Sequence, residues 1–184
     1  MHRAPLLQLL EDYSIRYPDE SDCVNRYRSF VQNHSDCFER SLEIGHITGA
    51  AWLVDATGTK VLLTHHAKLD KWLQLGGHAD GNSDVLQVAT DEAHEESGLE
   101  NIIPLSKEIF DLDIHTIPAR KADPEHLHYD ARFAFQHTGS GEFVVSPESI
   151  DLAWIEIAKL GEVTQEHSML RMAEKWMRAK SAIF

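Results

Sequence analysis

The sequence predicts an α+β fold, a mixed β-sheet between helical layers in the manner of an α/β/α sandwich. Three observations predict it. Strand-like runs with turn signals recur through the middle of the chain, and amphipathic helical spacing brackets them at both ends. Between them, a glycine-rich break at Gly76-Gly77-His78-Ala79-Asp80-Gly81 leads from an apolar run into a helix. No internal repeat or low-complexity segment is visible, which argues against a solenoid.

Taken in order, Pro5-Leu6-Leu7-Gln8-Leu9-Leu10 has the spacing of an amphipathic helix, and Glu11 and Asp12 interrupt it too soon for a signal peptide or a membrane span. A second helix over residues 20–33 sets Cys23, Val24, Tyr27, Phe30 and Val31 at helical spacing. Residues 1–40 therefore read as a helical N-terminal extension that covers a pocket, makes a dimer contact or pads the sheet. From Ile44 the pattern changes. Residues 47–54, a turn at Asp55-Ala56-Thr57-Gly58 and residues 60–64 read as a hairpin, and His65 and His66 as a strand end. Further strands are expected over 109–117, 129–137 and 153–157. A last helix over 165–180 carries Met169, Met172, Ala173, Trp176 and Met177 on its apolar side, a stripe that reads as core rather than as a cofactor box.

The helix after the glycine loop, starting near Ser83 and ending at Gly98, has an unusual inner face. Val85, Val88 and Ala89 form an apolar stripe, and Glu92 and Glu96 continue it, with Glu95 beside them. Like charges at this spacing each cost roughly 0.2–0.5 kcal/mol, and carboxylates near a helix C-terminus oppose the macrodipole. Something cationic is expected to offset the repulsion. Hard oxygen ligands suit Mg²⁺, Mn²⁺ or Ca²⁺ better than Zn²⁺ or Cu²⁺. The plainer alternative is a solvated acidic face.

Residues 77–99 resemble the Nudix box, G-x5-E-x7-R-E-U-x-E-E-x-G-U with U apolar. Gly77, Glu92, Ala93, Glu95, Glu96, Gly98 and Leu99 match it at every spacing, while Ser83 stands where the pattern has its first glutamate and Asp91 where it has arginine. The segments Ile114-His115-Thr116-Ile117-Pro118 and His126-Leu127-His128-Tyr129-Asp130-Ala131-Arg132-Phe133 also look like one branch of that family. The resemblance implies a Nudix fold as a single domain over residues 1–184. It also implies a loop–helix–loop that binds Mg²⁺ or Mn²⁺ through Glu92, Glu95 and Glu96, and hydrolysis of a nucleoside diphosphate derivative or related phosphorylated metabolite. Glu95 is the first candidate for the base and Glu96 the second. An anion at position 91 should raise the pKa values of the neighbouring glutamates and loosen their orientation. A Nudix-like binding module without catalysis is the alternative, and an interaction protein with an exposed acidic helix is a third reading.

Among twelve histidines, His126 and His128 share one face of an extended segment with Asp130 and Arg132, and Tyr129, Ala131 and Phe133 face the other way. This face reads either as a solvated strand or as a polar pocket wall. In the second case Arg132 grips phosphate and a histidine or Asp130 binds a metal, a transition ion included, or orients water. Gly77 and His78 in the loop are candidates to approach a phosphate oxygen, and loop polarity alone explains His78 as easily.

Composition agrees with one enzyme domain of 184 residues: hydrophobic content of 42% and charged content of 26% are ordinary for a globular chain. A formal net charge of −13 argues against a nucleic-acid polymer as partner, since such binding needs cations for the phosphates. The expected partner is a small phosphorylated molecule, with no membrane and with a homodimer as the commonest assembly. Cys23 and Cys37 form no C-x-x-C, so neither a disulfide scaffold nor a zinc cluster is expected, and a reducing cytoplasm fits.

Overall fold

Proline near its start and leucines four apart set the first helix, α1 (Ala4–Arg16), which buries Leu6, Leu10 and Tyr13 on one side. A 3-10 turn at Pro18–Glu20 leads into α2 (Ser21–Asn33), whose inward residues are Val24, Tyr27, Phe30 and Val31. Arg3 ties the two together by donating from Nη1 to the carbonyls of Val31 (2.7 Å) and Gln32 (2.9 Å). The computed structural model describes residues 2–67, 69–120, 124–139, 142–145 and 149–183, the side chains of 180–183 excepted.

The strands are β1 (Gly45–Val54), β2 (Lys60–His66), β3 (Lys71–Leu73), β4 (Leu75–His78), β5 (Ile102–Pro104), β6 (Asp111–Ile117), β7 (His126–His137) and β8 (Ser149–Glu156). They form one mixed sheet with the path β3-β2-β1-β7-β5, in which β4 pairs with β1, β6 with β7 and β8 with β2. The remaining helices are α3 (Val85–Ser97), the short α4 (Leu160–Val163) and α5 (His167–Ile183). The α+β class is therefore as the sequence predicts. Among the described residues, no helix is long and apolar enough to cross a membrane.

The chain divides into two compact units, one of Met1–Ala50, Gly77–Ala89 and Ser106–Phe133, the other of Ala51–Gly76, Thr90–Leu105 and Ala134–Phe184. In the first, α2 lies on the start of β7. Phe30 stacks on Tyr129 with ring centres 3.8 Å apart, Tyr27 meets Tyr129 edge-on at 5.4 Å, and the Tyr27 hydroxyl donates to the Tyr129 carbonyl at 2.8 Å. The start of α3 packs directly on β1: a Cβ added to Gly49 would stand 2.8 Å from the Val85 carbonyl and 2.9 Å from the Ala89 nitrogen. In the second unit the expected hairpin forms, with Val54 opposite Val61, and β2 also pairs along β3 and β8.

The apolar stripe of α5 is core: Met169, Met172, Ala173 and Trp176 are buried, and the Trp176 indole donates to the Gly58 carbonyl at 2.9 Å. Met177 departs from expectation and is 54% exposed, because it falls past the edge of a narrow stripe. Strand β7 starts three residues earlier than its alternation suggested, at His126, and β5 has no sequence signal at all, being three residues long and ending in proline.

Candidate functional site

Two groups of polar side chains are built here, one on the C-terminal part of α3 and one on β1, β4, β6 and β7. Helix α3 begins at Val85 because Asp84 caps it: the Gln87 N–H donates to Asp84 Oδ1 at 3.1 Å, and the Asp84 N–H to Asn82 Oδ1 at 3.0 Å. It stops at Gly98, which takes φ +64°, a conformation that suits glycine, and donates to the His94 carbonyl at 2.8 Å. Val85, Val88, Ala89 and Ala93 are its buried line. Glu92 and Glu96 are half-buried, one turn apart, at the margin of that line rather than on it, and Glu95 and Asp91 are exposed. The Gly76 N–H donates to Glu96 Oε2 at 3.0 Å, so one backbone dipole already supports a charge there.

The second group is set by register. Antiparallel pairing of β6 with β7 puts Asp111 opposite Arg132, Asp113 opposite Asp130 and His115 opposite His128, three polar pairs on one face. Arg132 is 2% exposed. Its Nη2 lies 2.9 Å from Asp130 Oδ2 and 3.2 Å from Asp113 Oδ2, and its Nη1 3.1 Å from Asp111 Oδ2. Thr48 on β1 donates its hydroxyl to the other Asp130 oxygen. Burial alone would raise the Asp130 pKa, but His115, Arg132 and the Thr48 hydroxyl override it and hold it below the usual carboxylate value. Burial likewise opposes a charge on His115, yet Asp130 and Asp113 win and its pKa is raised.

Beside this network the imidazoles of His46, His78, His126 and His128 gather. Ring centres lie 4.9 Å apart for His46 with each of His78, His126 and His128, and 5.0 Å for His78 with His128. Nε2 of His46 and Nε2 of His128 are 3.2 Å apart. Burial, then the neighbouring histidines, pushes His46 down to about 4. Burial also pushes His128 down to about 3, with Asp130 opposing and His78 assisting. Both rings are neutral at physiological pH.

The alternation expected for residues 126–132 holds to the extent that His128, Asp130 and Arg132 share one network while Tyr129 packs on α2. The role expected of Arg132 does not. A guanidinium that is 2% exposed and paired with three aspartates is turned to the framework rather than to an open site, so Arg132 is a framework cation. His46, Thr48, Asp111 and Asp113 are participants that the sequence did not single out.

Among the described residues, two sets place three metal-ligand atoms within 4.8 Å of one another, His46 with His78 and His128, and His115 with His128 and Asp130. Glu92, Glu95 and Glu96 are in neither. Their donor chemistry, carboxylate oxygens with two of three half-buried, nevertheless suits a hard divalent ion.

No protein-family model matches the chain, and no curated protein matches it by sequence. Solved structures do. A NUDIX-family hydrolase from Clostridium perfringens is 28% identical, with 71% of this chain and 95% of that chain covered and a TM-score of 0.52. The dihydroneopterin triphosphate pyrophosphohydrolase of E. coli is 14% identical over 70% of this chain and 92% of its own, with a TM-score of 0.57. A C. elegans Ap4A hydrolase is 16% identical over 74% and 98%, with a TM-score of 0.54. The chain has the Nudix hydrolase fold.

On the Nudix fold the two departures from the box take definite places. Ser83 is half-buried in the loop ahead of the Asp84 cap, and Asp91 is exposed on α3. An exposed charge is screened by water, so Asp91 repels the neighbouring carboxylates less than its place in the box suggests. It also leaves the box without its arginine.

Proposed function

We propose that this chain is a divalent-metal-dependent pyrophosphohydrolase acting on a nucleoside diphosphate derivative or a related small phosphorylated metabolite. The observation that carries the reading is the acidic end of α3 on a Nudix fold, with Glu92 and Glu96 half-buried and Glu96 held by the Gly76 N–H. Glu92, Glu95 and Glu96 would hold Mg²⁺ or Mn²⁺. Such an ion would supply charge neutralisation for phosphoryl oxygens and a lowered pKa for a water. Glu95, which is exposed, would be the first candidate for the general base that takes a proton from water, and Glu96 the second. Gly77 and His78 at the end of β4, with His126, His128 and Asp130 on β7, are the candidates for binding the substrate. The net charge of −13 supports a small ligand over a nucleic-acid polymer, and two free cysteines suit a reducing cytoplasm.

Phosphate release from a panel of nucleoside diphosphate derivatives, dinucleoside polyphosphates and nucleoside triphosphates, with Mg²⁺ or Mn²⁺ and a coupled phosphatase, tests the reading. Turnover by the wild type that chelator and Glu96→Gln both abolish is the expected result. Asp91 in place of the box arginine favours one second reading, a Nudix-fold binding module without catalysis. Metal-dependent stabilisation by the same compounds, with no turnover of any, would select it.

A further inference from the structure

We propose that His46, His78 and His128 form a transition-metal site, one that takes a borderline ion of the Zn²⁺ type rather than the hard ion suited to the glutamates of α3. The three rings bring one ligand atom each to within 4.8 Å of the others. The best-defined edge is the 3.2 Å between the Nε2 atoms of His46 and His128. Two imidazoles on one tetrahedral ion, at about 2.0–2.1 Å each, would have their nitrogens roughly 3.3–3.4 Å apart, so the pair already stands at ligand spacing. A hydrogen bond between these two rings explains that edge equally well. It leaves unexplained why further imidazoles, His78 and His126, crowd the same ring at 4.9 Å.

The three ligands come from separate elements that the backbone holds together. The Ala79 N–H donates to the Ile47 carbonyl at 3.1 Å, fixing the residue after His78 to the residue after His46. The Leu127 N–H donates to the Ile44 carbonyl at 3.2 Å, fixing β7 to the start of β1. Gly45 permits that approach, since a Cβ there would stand 2.5 Å from the Leu127 carbonyl oxygen. His46 itself is 3% exposed and cannot swing out to water. His128 also shares a 4.8 Å neighbourhood with Asp130 and His115, the kind of carboxylate partner that orients a metal-bound imidazole. Three nitrogen ligands leave a fourth tetrahedral position for an outside oxygen, from water or from a phosphoryl group. Nitrogen donors from imidazole suit Zn²⁺, Co²⁺, Ni²⁺ or Cu²⁺ and not Mg²⁺.

The site stands on these rings and not on the hydrolytic reading, so absence of turnover would leave it in place. Tag-free full-length protein, stripped with chelator, is titrated with Co²⁺ and separately loaded with Zn²⁺ for X-ray absorption. The expected result is one Co²⁺ per chain with the intense visible bands of tetrahedral coordination, displaced by Zn²⁺, and a zinc shell containing two or three imidazoles. Affinity should fall about 100-fold or more in His78→Ala, whose half-buried ring lies at a strand end, and stay unchanged in Glu96→Gln. A zinc shell of oxygens only would overturn the proposal, and because it is read on the wild type it does not depend on any variant folding. No Co²⁺ uptake, or uptake that survives His78→Ala and is lost in Glu96→Gln, would overturn it as well.

Discussion

Asp111, Asp113 and Asp130 surround one guanidinium, and the consequence for Arg132 is stability rather than recognition. Removing one partner from a buried ionic set leaves the others uncompensated, at a cost of about 3–5 kcal/mol. Arg132→Met should therefore lower the unfolding free energy from urea titration by that much; a loss under about 1 kcal/mol would mean that the aspartates take up protons or water instead. Glu96 belongs to the other kind of residue. Its carboxylate is half-buried and accepts from the Gly76 N–H, and Glu96→Gln keeps the shape while removing the charge. A fall of about 100-fold or more in turnover, with the melting temperature nearly unchanged, is expected from initial rates and calorimetry. Equal rates for the two proteins would remove Glu96 from the chemistry.

Helix α3 shows how an element is positioned by its ends and by one contact. The Asp84 cap sets where it starts, Gly98 where it stops, and Gly49 how closely its first turns approach β1. Because a Cβ at Gly49 would meet backbone atoms of the helix, which cannot rotate away, Gly49→Ala should cost about 1–3 kcal/mol in chemical denaturation and shift α3 outward. Unchanged stability would show that helix and strand part easily. Asp84→Ala is the milder change, with a loss of about 0.5–2 kcal/mol expected from the missing cap. The boundaries of this helix were legible to within two residues, since caps and glycines are local signals. The side that Glu92 and Glu96 occupy was legible only approximately: 100° per residue cannot tell whether position 92 or 93 takes the inward place, and Ala93 takes it.

For the whole molecule, the buried histidines tie stability to pH. His46 and His128 titrate near 4 and near 3 in the folded chain, below the ordinary value of 6.5, so the unfolded chain takes up protons first as pH falls. Their contribution is complete above pH 6.5 and is lost as pH drops from 6.5 toward 4. His115 works the other way, its raised pKa adding stability that fades as pH rises, and the Asp130 contribution persists to below its usual 3.8. Two rings outweigh one, so the metal-free protein should lose stability between pH 6.5 and pH 4, measured as urea midpoints across that range. A flat profile would mean that the rings protonate in place. By itself the sequence determined the helices, the hairpin and the spacing of Gly77, Glu92, Glu95, Glu96 and Gly98, because periodicity, turns and caps are written within a few residues of where they act. Tertiary structure alone decided that Arg132 is spent on Asp111 and Asp113, and that His46 meets His128 across 82 residues of chain. Those meetings follow from strand register, which is set by the packing of the whole sheet and leaves no local pattern in the chain.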